Sequence, residues 1–353
     1  MKILVLDGDG IGPEITGATV RVVDALNHRL NLGLEIERVD SGLSSLEKHG
    51  VTLTDDVMKK AAESDGVILG PTHSMVYPSK EEGGINLSPW FRKTFDLYAN
   101  IRPSKARDGV KAMAPDMDLV IVRENTEGFY ADRSMYQGSG EFMVTEDVAL
   151  AVRKITRQAS ERIAESACRL AMTRRKKLTI VHKRNVLKLS DGLFYDTVRK
   201  VAADFDGLEI DEAIIDAMTA LLVRHPGAFD VVVTTNMYGD ILSDLCAELS
   251  GGIGLGPSIN AGAKHAIAQA AHGSAPDIAG QNIANPTALL LSTSMLLKWL
   301  GDRHDREDLI NAARRLGSAV DAQLTDATAR TADLGGQLGT DAFGEAVVKR
   351  ISG

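Results

Sequence analysis

The chain has 353 residues, of which 44% are hydrophobic and 25% are charged, and its formal net charge is −8. A chain of this length exceeds what one hydrophobic core usually supports, so we expect about two domains. The acidic balance argues against a nucleic-acid binder or a ligand of anionic membranes and leaves small molecules as expected partners. Cys168 and Cys246 lie in apolar helical patterns and are predicted to pack in a core without a disulfide, which fits a reducing, cytoplasmic environment.

The first predicted elements are a strand, a glycine turn and a helix. Residues 3–6 form an apolar run that predicts a buried strand and is too short for a signal peptide, and no segment approaches the length of a membrane span. Pro13 after the glycines of residues 8–12 favours a helix over residues 14–30. Strand, turn and helix in this order are typical of a parallel-sheet unit. The pattern indicates an α/β protein, with further strands predicted at residues 34–39, 67–69, 119–122, 178–181 and 231–234.

Residues 128–146 interrupt this alternation. Aromatic and apolar residues flank a turn at residues 138–140, which predicts a β-arm that projects from the main body. Because such an arm has little core of its own, we expect a second subunit to cover it. A long helix is predicted to follow, from about residue 146 to residue 172.

Asp240 and Asp244 are the most informative residues of the chain, because they follow the strand at residues 231–234 one helical turn apart. Gly239 is predicted to permit a sharp turn into a helix that places both carboxylates on one face. Like charges at this spacing repel, so we expect a positive group between them, and hard oxygen ligands favour Mg²⁺ or Mn²⁺. In the alternative interpretation, Asp240 caps the helix and Asp244 is solvated.

The most promising cofactor segment is the loop at residues 272–280. The three glycines of residues 8–12 are spaced G-x-G-x-G and do not form the dinucleotide fingerprint. The small residues of the loop let a ligand approach the backbone, and Asn285 is predicted to cap the helix that follows. Asp277 can accept hydrogen bonds from a ribose 2′-hydroxyl and would repel a 2′-phosphate, which favours NAD over NADP. The alternative is a surface loop with a capping aspartate.

Arg92, Arg102 and Arg123 lie at predicted strand or helix edges and could grip a di- or tricarboxylic acid, because a planar guanidinium group binds a carboxylate through two hydrogen bonds. Each arginine alone is more often part of a surface ion pair. Tyr130 and Lys183 are a possible acid and base, since Lys183 ends a buried strand where desolvation favours a neutral amine. A core tyrosine and a solvated lysine are the alternative.

Motifs along nearly the whole chain resemble those of the β-decarboxylating dehydrogenases, the family of isocitrate, isopropylmalate, homoisocitrate and tartrate/D-malate dehydrogenases. The resemblance implies a two-domain α/β fold with a central mixed sheet flanked by helices and a β-arm for dimerisation. Residues 1–99 and 253–353 would form a large NAD-binding domain, and residues 100–252 a smaller substrate, metal and dimerisation domain. It also implies a homodimer with shared active sites. The motifs that carry it are residues 8–14, 96–103, 121–128, the segment around Lys183, and residues 239–244, 272–280 and 333–336.

The same resemblance implies catalytic and metal-binding roles. Lys183 of the partner subunit would accept the proton of the substrate hydroxyl as a hydride leaves for NAD, and Tyr130 would protonate the enolate that remains after CO₂ departs. Asp240 and Asp244, together with Asp216 of the partner subunit, would hold Mg²⁺ or Mn²⁺. The substrate-binding residues would be Arg92, Arg102, Arg123, Asn86, Ser88 and Asn185, and the NAD-binding residues His272, Gly273, Ser274, Ala275, Asp277, Ile278 and Asn285.

In this family, the segment before Arg92 contacts the third substituent of the malate. The residues of this segment therefore indicate which malate is the substrate. Asn86 and Ser88 resemble the isocitrate enzymes with the two residue types in the opposite order, whereas isopropylmalate enzymes carry leucines at the Ser88 and Pro89 positions. Gln269 stands where relatives usually have glutamate. An isocitrate-type substrate is slightly favoured, followed by 3-isopropylmalate and then by tartrate, D-malate or homoisocitrate. A non-catalytic regulatory subunit is the alternative from a different functional class.

Overall fold

The computed structural model describes residues 1–130 and 134–352. Within these residues, ten strands form one continuous sheet and two others form a separate hairpin. The strands are β1 (Lys2–Leu6), β2 (Glu35–Val39), β3 (Gly66–Leu69), β4 (Ala99–Lys105), β5 (Asp118–Glu124), β6 (Glu141–Thr145), β7 (Val148–Ala151), β8 (Lys177–His182), β9 (Glu209–Ile214), β10 (Val231–Thr234), β11 (Ile259–Ala261) and β12 (Ala266–Gln269).

Helices flank the large sheet. The first of them opens with Pro13 in its first turn, as predicted. The helices are α1 (Gly12–Leu30), α2 (Leu43–His49), α3 (Asp55–Glu63), α4 (Leu87–Thr94), α5 (Arg157–Met172), α6 (Ser190–Ala202), α7 (Ile215–Arg224), α8 (Asn236–Ser250), α9 (Thr287–His304), α10 (Glu307–Thr325) and α11 (Thr340–Ser352).

The strand order of the large sheet is β2-β1-β3-β12-β11-β4-β5-β10-β8-β9. Strand β11 is antiparallel to both of its neighbours, and β4 is antiparallel to β5, whereas the outer strands on each side run parallel to one another. The predicted α/β fold with a mixed sheet flanked by helices is therefore confirmed. Strand direction reverses at the centre of the sheet, and the candidate site lies over these central strands.

The buried hydrophobic residues fall into separate clusters on the two halves of the sheet. Two clusters draw on residues 3–97 and 255–351, and two draw on residues 99–249. Cys168 and Cys246 are buried free thiols in the second pair of clusters, as expected for core packing. Among the described residues, no helix combines the length and the apolar character needed to cross a membrane.

The hairpin and the helix after it begin later in the chain than predicted. Strands β6 and β7 pair antiparallel and turn at residues 146–147 instead of residues 138–140. Helix α5 starts at Arg157 instead of residue 146, because the Thr156 side chain accepts a hydrogen bond from Ala159 N and caps the helix there. The predicted helix included the apolar residues 148–152 in its first turns, although the β-branched residues among them favour a strand. Residues 131–133 of the predicted arm lie outside the described residues.

Candidate active site

Two buried arginines stand side by side on the central strands. Arg102 on β4 and Arg123 on β5 are 7% and 1% exposed. Asn100 Oδ1 accepts a hydrogen bond from Arg102 Nε at 2.6 Å, and Asn236 Oδ1 accepts from Arg123 Nε and Nη2 at 3.1 and 2.7 Å. Ser243 Oγ accepts from Arg102 Nη1 at 2.8 Å. These neutral partners fix both guanidinium groups without neutralising them, which is what an anion-binding site requires.

The two aspartates of α8 lie directly against these arginines. Arg102 Nη1 is 3.3 Å from Asp240 Oδ1 and 3.5 Å from Asp244 Oδ1, and Arg123 Nη1 donates to Asp240. The hydroxyl of Tyr130 donates to Asp240 Oδ2 at 3.2 Å. The structure therefore brings together five of the residues that the sequence singled out. The positive group expected between the aspartates is, within one chain, the guanidinium of Arg102.

The electrostatic environment shifts the pKa values of Asp240 and Asp244 in opposite directions. Burial disfavours ionisation of Asp240, but Arg123 and Arg102 outweigh it and lower the pKa of this carboxyl group. Burial raises the pKa of Asp244, and Asp240 adds to this effect while Arg102 opposes it. Burial and the neighbouring Arg123 lower the pKa of Arg102 to about 10. At neutral pH the cluster thus holds two guanidinium cations beside the ionised carboxylate of Asp240, and an anionic ligand would have to compete with this carboxylate for the arginines.

Asp240 and Gly239 both lie inside α8, which begins at Asn236. The interpretation of Asp240 as a helix cap is therefore wrong, and so is the role given to Gly239 as a turn residue. A Cβ at position 239 would lie 2.6 Å from Arg123 Cγ. Glycine is needed here because the arginine stem passes directly over the helix backbone.

Lys183 and Asp216 form a second group. Lys183 Nζ lies 2.5 Å from Asp216 Oδ1, and this hydrogen bond lowers the pKa of Asp216. The backbone N–H of Lys183 donates to Asp191 Oδ2 at 2.5 Å, and the fully buried Asp191 pairs with Arg153. Asn185 lines a cavity of about 440 Å³ together with His182 and Glu212.

Sequence reasoning had not assigned the supporting pair of Arg153 and Asp191. Arg153 follows the hairpin and donates a hydrogen bond to Asp191, which is 38 positions away in the chain. No local sequence pattern predicts a contact at this separation. Its guanidinium group also lies 5.2 Å from the centre of the Tyr238 ring. The pair holds the backbone of Lys183 in place and so sets where the amine of this lysine can reach.

The donor chemistry of Asp240 and Asp244 suits a hard dication, since both present carboxylate oxygens on one helix face. Among the described residues, however, no cluster of three or more His, Cys, Asp or Glu side chains is arranged to hold a metal ion. Asp216 is paired with Lys183 instead of joining the other two aspartates. A complete set of ligands therefore needs groups from outside one chain, and the predicted three-aspartate site stays a prediction.

The predicted cofactor loop packs against the N-terminal glycine turn. Ile11 N donates to Ser274 O at 2.9 Å, and a Cβ at Gly10 would lie 2.0 Å from the same oxygen. The backbone of the glycine turn therefore packs against the cofactor loop and supports it. Ala275 adopts a positive φ of 36°, and the neighbouring Asp277 is exposed.

Further contacts anchor the two ends of this loop. Asn285 Oδ1 accepts from Thr287 N at 3.0 Å, and its amide donates to Asp333 Oδ2 at 2.9 Å. The N-cap residue of α9 is Pro286, one position later than predicted, so Asn285 holds the start of the helix from outside the N-cap position. Burial lowers the pKa of His272, whose Nδ1 lies 2.9 Å from Gly273 O. The other ring nitrogen of His272 is buried and finds no hydrogen-bond partner in the described part of the chain. An unpartnered buried donor or acceptor at this point fits a site that a ligand completes.

Arg92, Arg102 and the first residues of the cofactor loop line a cavity of about 220 Å³. It connects two groups of residues that the sequence had placed in separate roles. Candidate substrate residues and the first residues of the loop line the same cavity. The lining includes Asn86, Ser88, Arg92, Arg102, Gln269, His272 and Gly273.

Comparisons with known proteins agree along the chain. The profile of the family described as isocitrate/isopropylmalate dehydrogenase matches residues 2–347. An isocitrate/homoisocitrate dehydrogenase of Thermus thermophilus is 43% identical over 351 residues, which span 99% of this chain and 98% of that protein. A 3-isopropylmalate/3-methylmalate dehydrogenase of Methanocaldococcus jannaschii is 41% identical over 355 aligned positions, with 99% and 98% of the two chains covered. The crystal structure of isocitrate dehydrogenase from Methylococcus capsulatus has 37% sequence identity and a TM-score of 0.88, and the match covers 100% of this chain and 99% of that one.

Proposed function

Because the chain belongs to the isocitrate/isopropylmalate dehydrogenase family, we propose that it catalyses the NAD-dependent oxidative decarboxylation of a 3-substituted malate. The 2-hydroxy acid loses a hydride to NAD and a proton to the protein, and the resulting 2-oxo acid then loses CO₂ from its β-carboxylate. The observation that carries the proposal is the cavity of about 220 Å³, which is lined by Arg92, by the buried Arg102 and by the start of the predicted cofactor loop. Arg102 also lies beside Asp240, which accepts a hydrogen bond from Tyr130.

The described residues supply the chemistry that this reaction needs. The guanidinium groups of Arg92, Arg102 and Arg123 bind the malate carboxylates, and the burial of Arg102 and Arg123 strengthens the attraction. Tyr130 donates a proton to the carbon that CO₂ has left. A divalent ion held by Asp240 and Asp244 would stabilise the negative charge that develops on the substrate oxygen.

We propose that the active site is completed by a second copy of the chain. The ion pair between Lys183 and Asp216 forms a group separate from Tyr130, Asp240 and Asp244, as expected if each active site takes one group from each subunit. Lys183 of the partner subunit then accepts the proton of the hydroxyl, Asp216 of the partner subunit completes the metal site, and Asn185 of the partner subunit lies beside the substrate.

The hairpin supports this dimer. A two-stranded hairpin is at best marginally stable alone, and apolar side chains on an exposed hairpin are expected to be covered by another chain. All nine positions of β6 and β7 are exposed. The exposed apolar residues include Phe142, Met143, Val144, Val148 and Leu150.

We further propose NAD as the cofactor and the domain boundaries given by the sequence. The exposed carboxylate of Asp277 is positioned on the loop to accept from ribose hydroxyls and to repel a 2′-phosphate. The division of the buried clusters near residues 99 and 253 supports a domain of residues 1–99 with 253–353 and a second domain of residues 100–252. A cytoplasmic location stays a prediction.

The test is NADH formation by the purified chain with Mg²⁺ or Mn²⁺ and a panel of isocitrate, 3-isopropylmalate, homoisocitrate, tartrate and D-malate. We expect turnover of at least one of these acids, with isocitrate slightly ahead and NAD preferred to NADP. Activity that prefers NADP would contradict the role of Asp277. No NADH from any acid, together with metal binding in calorimetry, would favour a non-catalytic subunit.

A further inference from the structure

Asp191 and Arg153 form a buried ion pair that touches neither the substrate cavity nor the cofactor loop. Their side chains are 0% and 7% exposed. Asp191 Oδ1 accepts a hydrogen bond from Arg153 Nη1, and Oδ2 accepts from the backbone N–H of Lys183 at 2.5 Å. A buried ion pair is often no more stabilising than apolar residues of similar size. Stability alone therefore does not explain the pair, and its bond to Lys183 indicates a role in placing this lysine.

The backbone around Lys183 has little support from packing. Strand β8 ends at His182, so Lys183 lies just beyond the hydrogen-bond ladder of the sheet. The turn that follows is largely exposed, with Val186 at 64% and Leu189 at 89%. Lys183 O accepts from Val186 N at 3.0 Å, which is a bond within the turn itself. The buried carboxylate of Asp191 therefore supplies the contact that ties this part of the turn to the interior.

Arg153 connects the same carboxylate to two other parts of the chain. It is the second residue after β7, at the base of the hairpin. Its guanidinium group also donates to Ser190 Oγ at 3.1 Å and to Thr235 Oγ1 at 3.0 Å. Thr235 is the N-cap residue of α8, the helix that carries Asp240. The ion pair is thus bonded both to Lys183, proposed to act in the partner's active site, and to a helix of the site in its own chain.

Helix α8 is firmly held without this ion pair, whereas the turn after β8 is not. Tyr238 of α8 also bonds Asp191. The same helix, however, is anchored in the core by buried apolar residues, Leu242, Cys246 and Leu249. Loss of the carboxylate at position 191 should therefore displace the exposed turn and leave the helix in place.

We propose that Asp191, held by Arg153, is a positioning residue for Lys183 and therefore acts on the active site of the partner subunit and not on the site of its own chain. The inference rests on the proposed function, in which Lys183 accepts the proton of the substrate hydroxyl. Such a transfer requires the amine within hydrogen-bond distance of the hydroxyl. A displacement of about 1 Å can slow a reaction of this kind about a hundredfold.

The first test is the kinetics of Asp191→Asn. Asparagine has one carbonyl oxygen and cannot accept from both Arg153 and the backbone of Lys183. We expect kcat for the acid that the wild type oxidises to fall about tenfold or more and KM to stay within about threefold, because Lys183 moves a proton and does not bind the carboxylates. Asp204→Asn removes the same charge at an exposed position just after α6 and should keep the wild-type kcat.

Mixed dimers show which active site Asp191 serves. Co-expression of Asp191→Asn with Asp240→Asn should give about a quarter of the wild-type rate, since half of the random dimers are mixed and each contains one intact site. Co-expression with Lys183→Met should give no recovery, because both changes damage the contribution of the same group. The reverse pattern would show that Asp191 acts within its own chain through α8, and it would overturn the inference.

Arg153→Lys keeps the test decisive if Asp191→Asn does not fold. The lysine keeps a cation beside Asp191 but lacks the planar fork that also bonds Ser190 and Thr235. It should show the same pattern in the two mixtures with a smaller loss of kcat. An unchanged kcat in the folded variants, or equal recovery in the two mixtures, overturns the inference while the reaction class stands. A wild type that forms no NADH from any acid of the panel overturns the proposed function, and the inference with it.

Discussion

At Gly239, helix α8 passes so close to Arg123 that a side chain has no room. The position has ordinary helical geometry, and alanine normally stabilises a helix interior relative to glycine by about 1 kcal/mol. Here the added Cβ would lie 2.6 Å from Arg123 Cγ and 2.7 Å from Arg123 Cβ. The arginine and its bonds to Asn236 and Asp240 would have to shift.

We therefore expect Gly239→Ala to lower the free energy of unfolding by about 1–3 kcal/mol, the usual cost of overpacking, as measured by urea denaturation. Gly317→Ala in α10 is the matched control, because a Cβ there meets only Ser294 Oγ at 3.8 Å. The control should be as stable as the wild type or more so. If both variants gain stability, the contact between helix and arginine does not constrain position 239.

The sequence singled out the charged residues that the structure brings together, but it did not indicate their supporting partners. Arg123 ends an apolar strand and Asp240 follows one, and this placement marks both as unusual for charged residues. Asn100 and Ser243 are common polar residues whose importance depends on the bonds they make to Arg102. The contact with Ser243 spans 141 positions of the chain, a distance over which periodicity and local motifs carry no information.

Among the elements, helix α5 depends on a buried carboxyl group at its N-terminus. Glu127 accepts hydrogen bonds from Thr156 N at 2.8 Å and from Thr156 Oγ1 at 2.9 Å. Burial, reinforced by Glu124, outweighs these bonds and raises the pKa of Glu127 from 4.5 to about 7. Between these two values the folded state binds more protons than the unfolded state, so this group stabilises the fold less as pH rises through the window.

Glu127→Gln should remove this pH dependence, because glutamine keeps an acceptor for Thr156 and does not titrate. We expect the stability of the wild type relative to the variant to fall by about 2 kcal/mol between pH of about 5 and about 7.5, as measured by urea denaturation. Burial lowers the pKa of His182, His265 and His272 in both proteins, so their opposite contribution cancels in the comparison. Parallel stability curves for the two proteins would show that Glu127 ionises normally.

Two of the strands that the sequence missed share a physical feature. Strand β9 is an edge strand with three acidic residues among its six, and β4 contains Asn100, Arg102 and Pro103, so neither shows an apolar run. Strand β10, by contrast, matches the predicted residues 231–234 because it is buried on both faces. Hydrophobic pattern reports burial, and it therefore fails where a strand lies at an edge or carries the functional groups.

At the scale of the whole molecule, the candidate residues divide into two groups that one chain keeps apart. One group contains Tyr130, Asp240 and Asp244, and the other contains Lys183 and Asp216. Resemblance alone had indicated that the active site is shared between subunits. The structure supports this expectation, because the residues of each group contact one another within the chain and the two groups are separate.

Mixed dimers test this arrangement. A Lys183→Met chain and an Asp240→Asn chain should each be nearly inactive, but their co-expression with different tags should restore about a quarter of the wild-type rate of NADH formation. Half of the randomly assembled dimers are mixed, and each mixed dimer contains one intact site of two. Lys183→Met with Asp216→Asn is the control, because both changes fall in one group and no intact site forms. Equal recovery in both mixtures, or none in either, would contradict shared sites.

Arg102 lies within 3.5 Å of both Asp240 and Asp244, and the same guanidinium group is proposed to hold the substrate. If a dication binds the two carboxylates as proposed, it would release the arginine for an incoming acid, and an acid that binds the arginine would uncover two negative charges for a dication. Metal and substrate would then reinforce each other's binding, and thermodynamic reciprocity would require each to tighten the other by the same factor.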